Sequence, residues 1–265
     1  MTIDLSGRRA LLFLPASNPR AIAKARGSAA DLVILDLEDA VKDADKDTAR
    51  EAAVAALADP WPMPVAIRIN ALGTRWFAQD VAALALSKAD LAVAPMVTNP
   101  SQVNAIREDS AKPVIAMIES AAGVLAAPAI ARVSAALFLG LNDLAADLRL
   151  PAGSARTSMM VALQSVILAA RAARIAVFDG VFNRLDDPDG FAAECAEARR
   201  LGFDGKTLIH PDQIAPCFAA FAPSEAEITR AQRLVAAASG GAERFEDEMI
   251  ETMHVESAKL LLSRL

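Results

Sequence analysis

Short apolar runs alternate with longer amphipathic stretches along this chain, and that alternation narrows the fold more than any other feature. The runs cover residues 10–14, 32–35, 65–69, 91–94, 114–118, 135–139, 176–178 and 206–209. Each is apolar on both faces, as a strand buried within a parallel sheet must be. Between them lie helical patterns at 19–29, 47–57, 77–87, 158–173 and 190–201, with Asn18, Thr74 and Asp187 near their starts as expected caps. Eight strand-helix units within 265 residues match the size of a TIM (β/α)8 barrel. A doubly wound dinucleotide fold would place a glycine fingerprint after its first strand, where this chain reads Leu14-Pro15-Ala16-Ser17-Asn18-Pro19. Helical segments continue through 211–221, from near Ser224 to a Ser239-Gly240-Gly241 break, and over 255–265. The expected organisation is a barrel with its following helices over 1–239, then a hinge and helix over 240–265.

Composition limits the partners. With 54% hydrophobic residues the chain can bury a large core. Its 27 basic and 33 acidic residues leave a net charge of −6, which argues against binding phosphate backbones or an anionic membrane. Cys195 and Cys217 are too few for a disulfide framework and are not spaced as a zinc site, so a cytoplasmic location is expected. The apolar run near the N-terminus is too short and wrongly flanked for a signal peptide or a span, so the protein is expected to be soluble and unprocessed.

Chemistry in such a barrel sits at the C-terminal ends of the strands. There the second strand ends in Asp36-Leu37-Glu38-Asp39, the third in Arg68-Ile69-Asn70, the fifth in Glu119, the sixth in Asn142-Asp143, the seventh in Asp179 and the eighth in His210. Carboxylates dominate this rim, and their mutual repulsion calls for a cation or a buried arginine. Glu119 and Asp143, ending neighbouring strands, could supply the one or two carboxylates that Mg²⁺ takes from protein, its remaining positions going to waters and substrate oxygens. The fork of Arg68 suits a substrate carboxylate. Any one of these acids, taken alone, reads equally well as a cap or a salt-bridge partner. Imine chemistry is disfavoured, because Lys112 and Lys206 precede their strands and Lys24, Lys42, Lys46 and Lys88 fall in helices or loops. Only His210 and His254 are present, too few for a histidine-rich metal hydrolase, and His210 before Pro211 reads better as a packed strand-end residue than as a catalyst.

FLPASNP at 13–19, ILDLEDAV at 34–41 followed by Lys46 and Arg50, IRIN at 67–70, MIES at 117–120 followed by Gly123, LGLNDLAADL at 139–148 and GFDGKTLIHPDQI at 202–214 occur in consistent order. Together they resemble the citrate lyase beta subunit-like proteins and malyl-CoA lyases of the HpcH/HpaI aldolase and citrate lyase superfamily. The resemblance implies a TIM barrel that binds Mg²⁺ through Glu119 and Asp143, with Arg68 holding a carboxylate of an oxaloacetate- or glyoxylate-like 2-oxo acid. Glu38 and Asp39 match the family's second-strand acids, which order the metal's waters and the arginine; with Arg68 they make up the expected catalytic group. The implied reaction is reversible aldol or Claisen cleavage of a 3-hydroxyacyl-CoA, such as citryl-CoA or malyl-CoA, to a 2-oxo acid and an acyl-CoA, with no redox cofactor. Relatives are commonly trimers or hexamers with a swapped C-terminal segment, so a homo-oligomer is expected.

Several positions depart from the family pattern. The fourth strand ends Pro95-Met96 where relatives carry Pro-Lys. The family's Glu-Thr-Ala-Arg-Gly reads Glu119-Ser120-Ala121-Ala122-Gly123, an acidic position is Asn142, and Pro15-Ala16 replaces Pro-Gly. The Asp-Gly-x-Met-Ile-Asp segment of malyl-CoA lyases reads Glu246-Asp247-Glu248-Met249-Ile250-Glu251, which is either a catalytic carboxylate one methylene longer or a solvated acidic run before a docking helix. Two other outcomes stay open beside the lyase: a malyl-CoA thioesterase or malate synthase-like activity, and a non-catalytic subunit that binds a 2-oxo acid or CoA ester.

Overall fold

The computed structural model describes residues 3–263. Eight parallel strands close into a barrel in sequence order. They are β1 (Ala10–Pro15), β2 (Leu32–Asp36), β3 (Val65–Arg68), β4 (Leu91–Ala94), β5 (Val114–Ile118), β6 (Ala136–Leu139), β7 (Ala176–Asp179) and β8 (Gly205–Leu208), with β8 pairing back onto β1. Around them run α1 (Pro19–Arg26), α2 (Lys46–Ala56), α3 (Phe77–Leu86), α4 (Pro100–Ser110), α5 (Ala121–Ala131), α6 (Leu141–Asp147), α7 (Met160–Ala173), α8 (Pro188–Leu201) and α9 (Ile214–Phe221). The barrel expected from the sequence is therefore present, strand for strand. No helix among the described residues is long and apolar enough to cross a membrane.

Local signals set the helix starts. Asn18 accepts the Ala21 N–H and Asp187 accepts the Gly190 N–H, each ahead of a proline at the first helical position. Thr74 does not cap: its hydroxyl donates to Ala71 O, and α3 begins after Trp76, whose side chain makes no capping bond.

Because side chains alternate across a strand, one set from each strand fills the lumen and the other meets the helices. Leu11, Phe13, Leu32, Ile34, Ala66, Val93, Met117, Phe138 and Phe178 form the inner cluster, which Leu5 joins. Edge-to-face contacts tie Phe138 to Phe13 and to Phe178, with ring centroids 6.2 and 5.5 Å apart. The same alternation carried two residues further turns Asp36 and Arg68 inward at the C-terminal mouth.

It turns Asp179 and Lys206 the other way, which corrects two expectations. Lys206 lies inside β8 and is fully buried, its ammonium 2.6 Å from Asp179 and 2.7 Å from Glu194 of α8. Arg156 adds a second cation, 2.7 Å from Asp179. Asp179 thus belongs to an ion network between the strands and α8, not to the rim.

The chain divides into two compact units, 1–221 and 222–265. The second comprises α10 (Glu225–Ala237), the antiparallel pair β9 (Glu243–Phe245) and β10 (Glu248–Ile250), and α11 (Thr252–Leu262). Ala231, Leu234, Phe245, Ile250 and Ala258 form its core, so α10 goes with the hairpin and α11. The acidic segment 246–251 forms the turn and second strand of that hairpin, with Glu246, Asp247, Glu248 and Glu251 exposed and Ile250 buried. Glu246 occupies the turn with φ 55°, and its carboxylate lies 3.0 Å from Arg233 and 3.7 Å from Arg230 of the same unit.

Candidate active site

The mouth of the barrel is organised around Arg68. Asp36 and Arg68 are direct neighbours in the β2–β3 register, so their side chains meet across the lumen face. Arg68 Nε and Nη2 each donate to Asp36 at 2.6 Å, a bidentate fork that fixes the guanidinium plane. The guanidinium carbon lies over Phe13, 5.1 Å from the ring centre. Nη1 donates to Asp39 at 3.4 Å and stands 2.8 Å from Glu38 Oε2, a buried oxygen that accepts no aligned hydrogen bond. One cation thus faces three carboxylates, and these hold the proton of Arg68 more tightly than in a free guanidinium even though burial opposes its charge.

The loop that carries Glu38 and Asp39 is pinned from beneath. Lys46, buried at the start of α2, donates to Leu37 O and Glu38 O at 2.8 Å and to Asn70 Oδ1 at 2.7 Å. Asp80 accepts from the Asn70 backbone and amide at 2.8 and 2.6 Å and is itself held by Arg50 at 2.7 Å. The sequence places Lys46 and Arg50 a turn apart on α2, which is the signal that makes them a pair; their target Asn70 is not legible from spacing.

Glu119 enters the mouth from the end of β5, 2% exposed. Its Oε2 accepts the Met96 N–H at 2.7 Å. Its Oε1 lies across Gly140, where an added Cβ would stand 2.0 Å away. Only glycine leaves room for that carboxylate. Burial lifts the Glu119 carboxyl to about 7, with Asp143 and Asp39 adding to the rise and the Met96 hydrogen bond and Arg68 opposing it. Burial likewise lifts Glu38 to about 8 against the pull of Arg68. Asp143 is raised by burial and then by Asp39. It does not end β6 but sits in the first turn of α6, after Gly140.

Asp39, Arg68, Glu119 and Asp143 line one cavity of about 360 Å³, together with Asp36, Phe13, Gly140, Asn142, Asn183 and Thr207. Glu38 reaches Arg68 from outside that wall. His210 caps the turn after β8 by accepting the Asp212 N–H, as a strand-end residue would. Asn183 donates to Asn142 at 2.7 Å, tying the loops after β6 and β7 together. Asp36, Asn183 and the Met96 amide were not singled out by sequence; for Asp36 the signal was available in the Leu32-Ile34-Asp36 alternation.

Among the described residues no three His, Cys, Asp or Glu side chains form a ready metal cage. Mg²⁺ does not need one, because it takes one or two carboxylates and retains water. Glu119 and Asp143 fit it on chemistry and on space: both are hard oxygen donors whose ionised forms are disfavoured by burial and by neighbouring acids, and Gly140 keeps Oε1 uncovered. A divalent cation would reverse that penalty. The arrangement can hold such a cation beside a fixed guanidinium, a pairing suited to a carboxylate that carries an adjacent oxygen.

Residues 9–211 match the model of the HpcH/HpaI aldolase/citrate lyase family. The (3S)-malyl-CoA thioesterase of Cereibacter sphaeroides is 38% identical over 97% of this chain and 94% of its own length. The citrate lyase subunit beta of Escherichia coli is 32% identical over 97% and 93%. Among solved structures, Mycobacterium tuberculosis CitE in complex with magnesium, acetoacetate and coenzyme A superposes with a TM-score of 0.88 at 33% identity, covering 99% of both chains. The same organism's citrate lyase beta subunit complexed with oxaloacetate and magnesium gives 0.76 at 34%, covering 84% of this chain and 100% of the other. The family model, the relatives and the barrel agree, and the chain belongs to the HpcH/HpaI aldolase/citrate lyase family.

Proposed function

We propose that this protein is a Mg²⁺-dependent carbon-carbon lyase that cleaves a 3-hydroxyacyl-CoA, such as citryl-CoA or malyl-CoA, to a 2-oxo acid and an acyl-CoA. The observation that carries the reading is the placement of Glu119 and Asp143 on the wall of the cavity that Arg68 also lines. Glu119 and Asp143 would hold the cation, which when bound supplies Lewis acidity toward the hydroxyl or carbonyl oxygen beside the substrate carboxylate. Arg68 keeps its Nε edge on Asp36 and offers its outer edge to that carboxylate. Asp39 and Glu38 orient the guanidinium, and Asp39, on the cavity wall, is placed to hold the proton that leaves the substrate hydroxyl. Structures of relatives holding magnesium with acetoacetate, oxaloacetate and coenzyme A support the substrate class.

A second reading, a malyl-CoA thioesterase, is favoured by the 38% identity to enzymes of that name. Incubation of the purified chain with malyl-CoA separates the two. Lyase action yields glyoxylate and acetyl-CoA without free thiol, whereas thioester hydrolysis yields malate and free CoA thiol without an oxo acid. Absence of both products from malyl-CoA and citryl-CoA, with Mg²⁺ present, would sink the enzyme reading and leave a ligand-binding subunit.

A further inference from the structure

We propose that Met96 is a positioning residue for the cation, acting through its backbone: a one-residue bulge after β4 turns its N–H out of the sheet ladder and onto Glu119, leaving Glu119 Oε1 to face the metal. The inference rests on the metal reading given above.

In the β4–β5 pair, Ala92 stands opposite Val114 and donates to Pro113 O at 2.9 Å. Bonding in a parallel ladder recurs every two residues along a strand, so the series would bring the Met96 N–H to Met117 O. The donor to Met117 O is instead Val97, at 3.2 Å. Met96 is the extra residue, and its φ is 51°, the left-handed conformation that a glycine supplies at the first position of a G1 bulge. Among the described residues, the other non-glycine residues with positive φ are Ala111 and Arg174 at helix C-caps, Arg149 just after α6 and Glu246 in a hairpin turn. Those are ordinary places for it. Met96 alone takes this conformation just after a barrel strand, where a Cβ-bearing residue is disfavoured.

What the bulge achieves is visible at Glu119. The freed N–H donates to Oε2 at 2.7 Å, so that oxygen is occupied, while Oε1 lies across Gly140. Gly123, in the first turn of α5, closes the device from outside, since an added Cβ there would stand 2.7 Å from Val97 O. The Met96 side chain takes no part: it is 41% exposed and does not line the cavity. The amide and the bulge matter, not the thioether.

The test is Mn²⁺ binding to the metal-stripped full chain, followed by electron paramagnetic resonance, with wild type, Met96→Gly, Met96→Val and Gly123→Ala. Met96→Gly keeps the N–H and accepts a left-handed φ, so its affinity should stay within about threefold of wild type. Met96→Val resists that φ and should bind at least about tenfold more weakly, the range typical of lost outer contacts to a metal ligand. Gly123→Ala displaces the bulge through Val97 and should weaken binding likewise, which keeps the question decidable if Met96→Val does not fold. Rescue by glycine is the outcome that a merely structural role of the side chain would not give. Equal affinity of Met96→Val or Gly123→Ala and wild type, or equal weakness of Met96→Gly and Met96→Val, would overturn the proposal. If wild type binds no Mn²⁺, the metal reading itself falls and this inference with it.

Discussion

Replacing Arg68 with methionine keeps an unbranched apolar stem and removes the guanidinium, with its charge, its two hydrogen bonds to Asp36 and its contact over Phe13. Among the described residues Arg68 is the one cation paired with the side-chain carboxylates of Asp36, Glu38 and Asp39, and it opposes the raised carboxyl of Glu119 as well. Breaking a buried ion pair by deleting one partner costs about 3–5 kcal/mol, because the other charges stay buried without compensation. For a unit of this size about 1 kcal/mol moves the midpoint by roughly 2–4 °C, so the barrel transition should fall by roughly 6–20 °C at pH 8. The deficit must depend on pH. Arg68 holds Glu38 and Glu119 down in part, so the variant's folded state binds more protons than the wild type's, and its stability falls more steeply as pH rises. At pH 5, where Glu38 and Glu119 carry protons with or without Arg68, the difference should shrink. Thermal unfolding of both proteins in EDTA at pH 5, 6.5 and 8 measures this. A deficit below about 1 kcal/mol at pH 8, or one independent of pH, would refute the view that Arg68 neutralises a buried acidic cluster.

The metal-free wild type should itself lose stability as pH rises. Glu38 near 8 and Glu119 near 7, against an ordinary 4.5, mean that the folded state retains protons the unfolded chain has released; melting temperature should therefore fall between pH 4.5 and 8, and Mg²⁺ should flatten the slope. A flat profile in EDTA would count against both shifts. Gly140→Ala should push Glu119 off the Met96 amide, forfeiting a charge-assisted bond of about 1.5–3 kcal/mol and at least about tenfold in Mg²⁺ affinity by calorimetric titration; unchanged affinity would show that Glu119 does not ligate from this position. Lys206→Met should destabilise by about 3–5 kcal/mol in denaturant yet leave Mg²⁺ affinity unchanged, since Lys206, Asp179 and Glu194 lie outside the lumen; parallel loss of both would join that network to the site.

The sequence by itself determined the barrel. A run such as Leu91–Ala94, apolar on both faces and followed by a helical pattern, has few ways to bury itself other than between a lumen and a helix layer. It also determined which end carries the chemistry, because Asp39, Arg68, Glu119 and Asp143 all follow or end strands. The tertiary structure decided what each polar side chain touches. Asp179 and Lys206 read as rim and pre-strand residues, yet strand alternation and the register with α8 turn them outward into one ion network. Asp36 read as one acid among several, yet its register opposite Arg68 makes it the partner that aims the guanidinium. The hold on Glu119 comes from a backbone amide and a missing Cβ, at Met96 and Gly140, which no pattern of side-chain types records. Periodicity reports which faces must be buried; hydrogen-bond partners depend on distances between segments far apart in the chain, and those exist only once the barrel has closed.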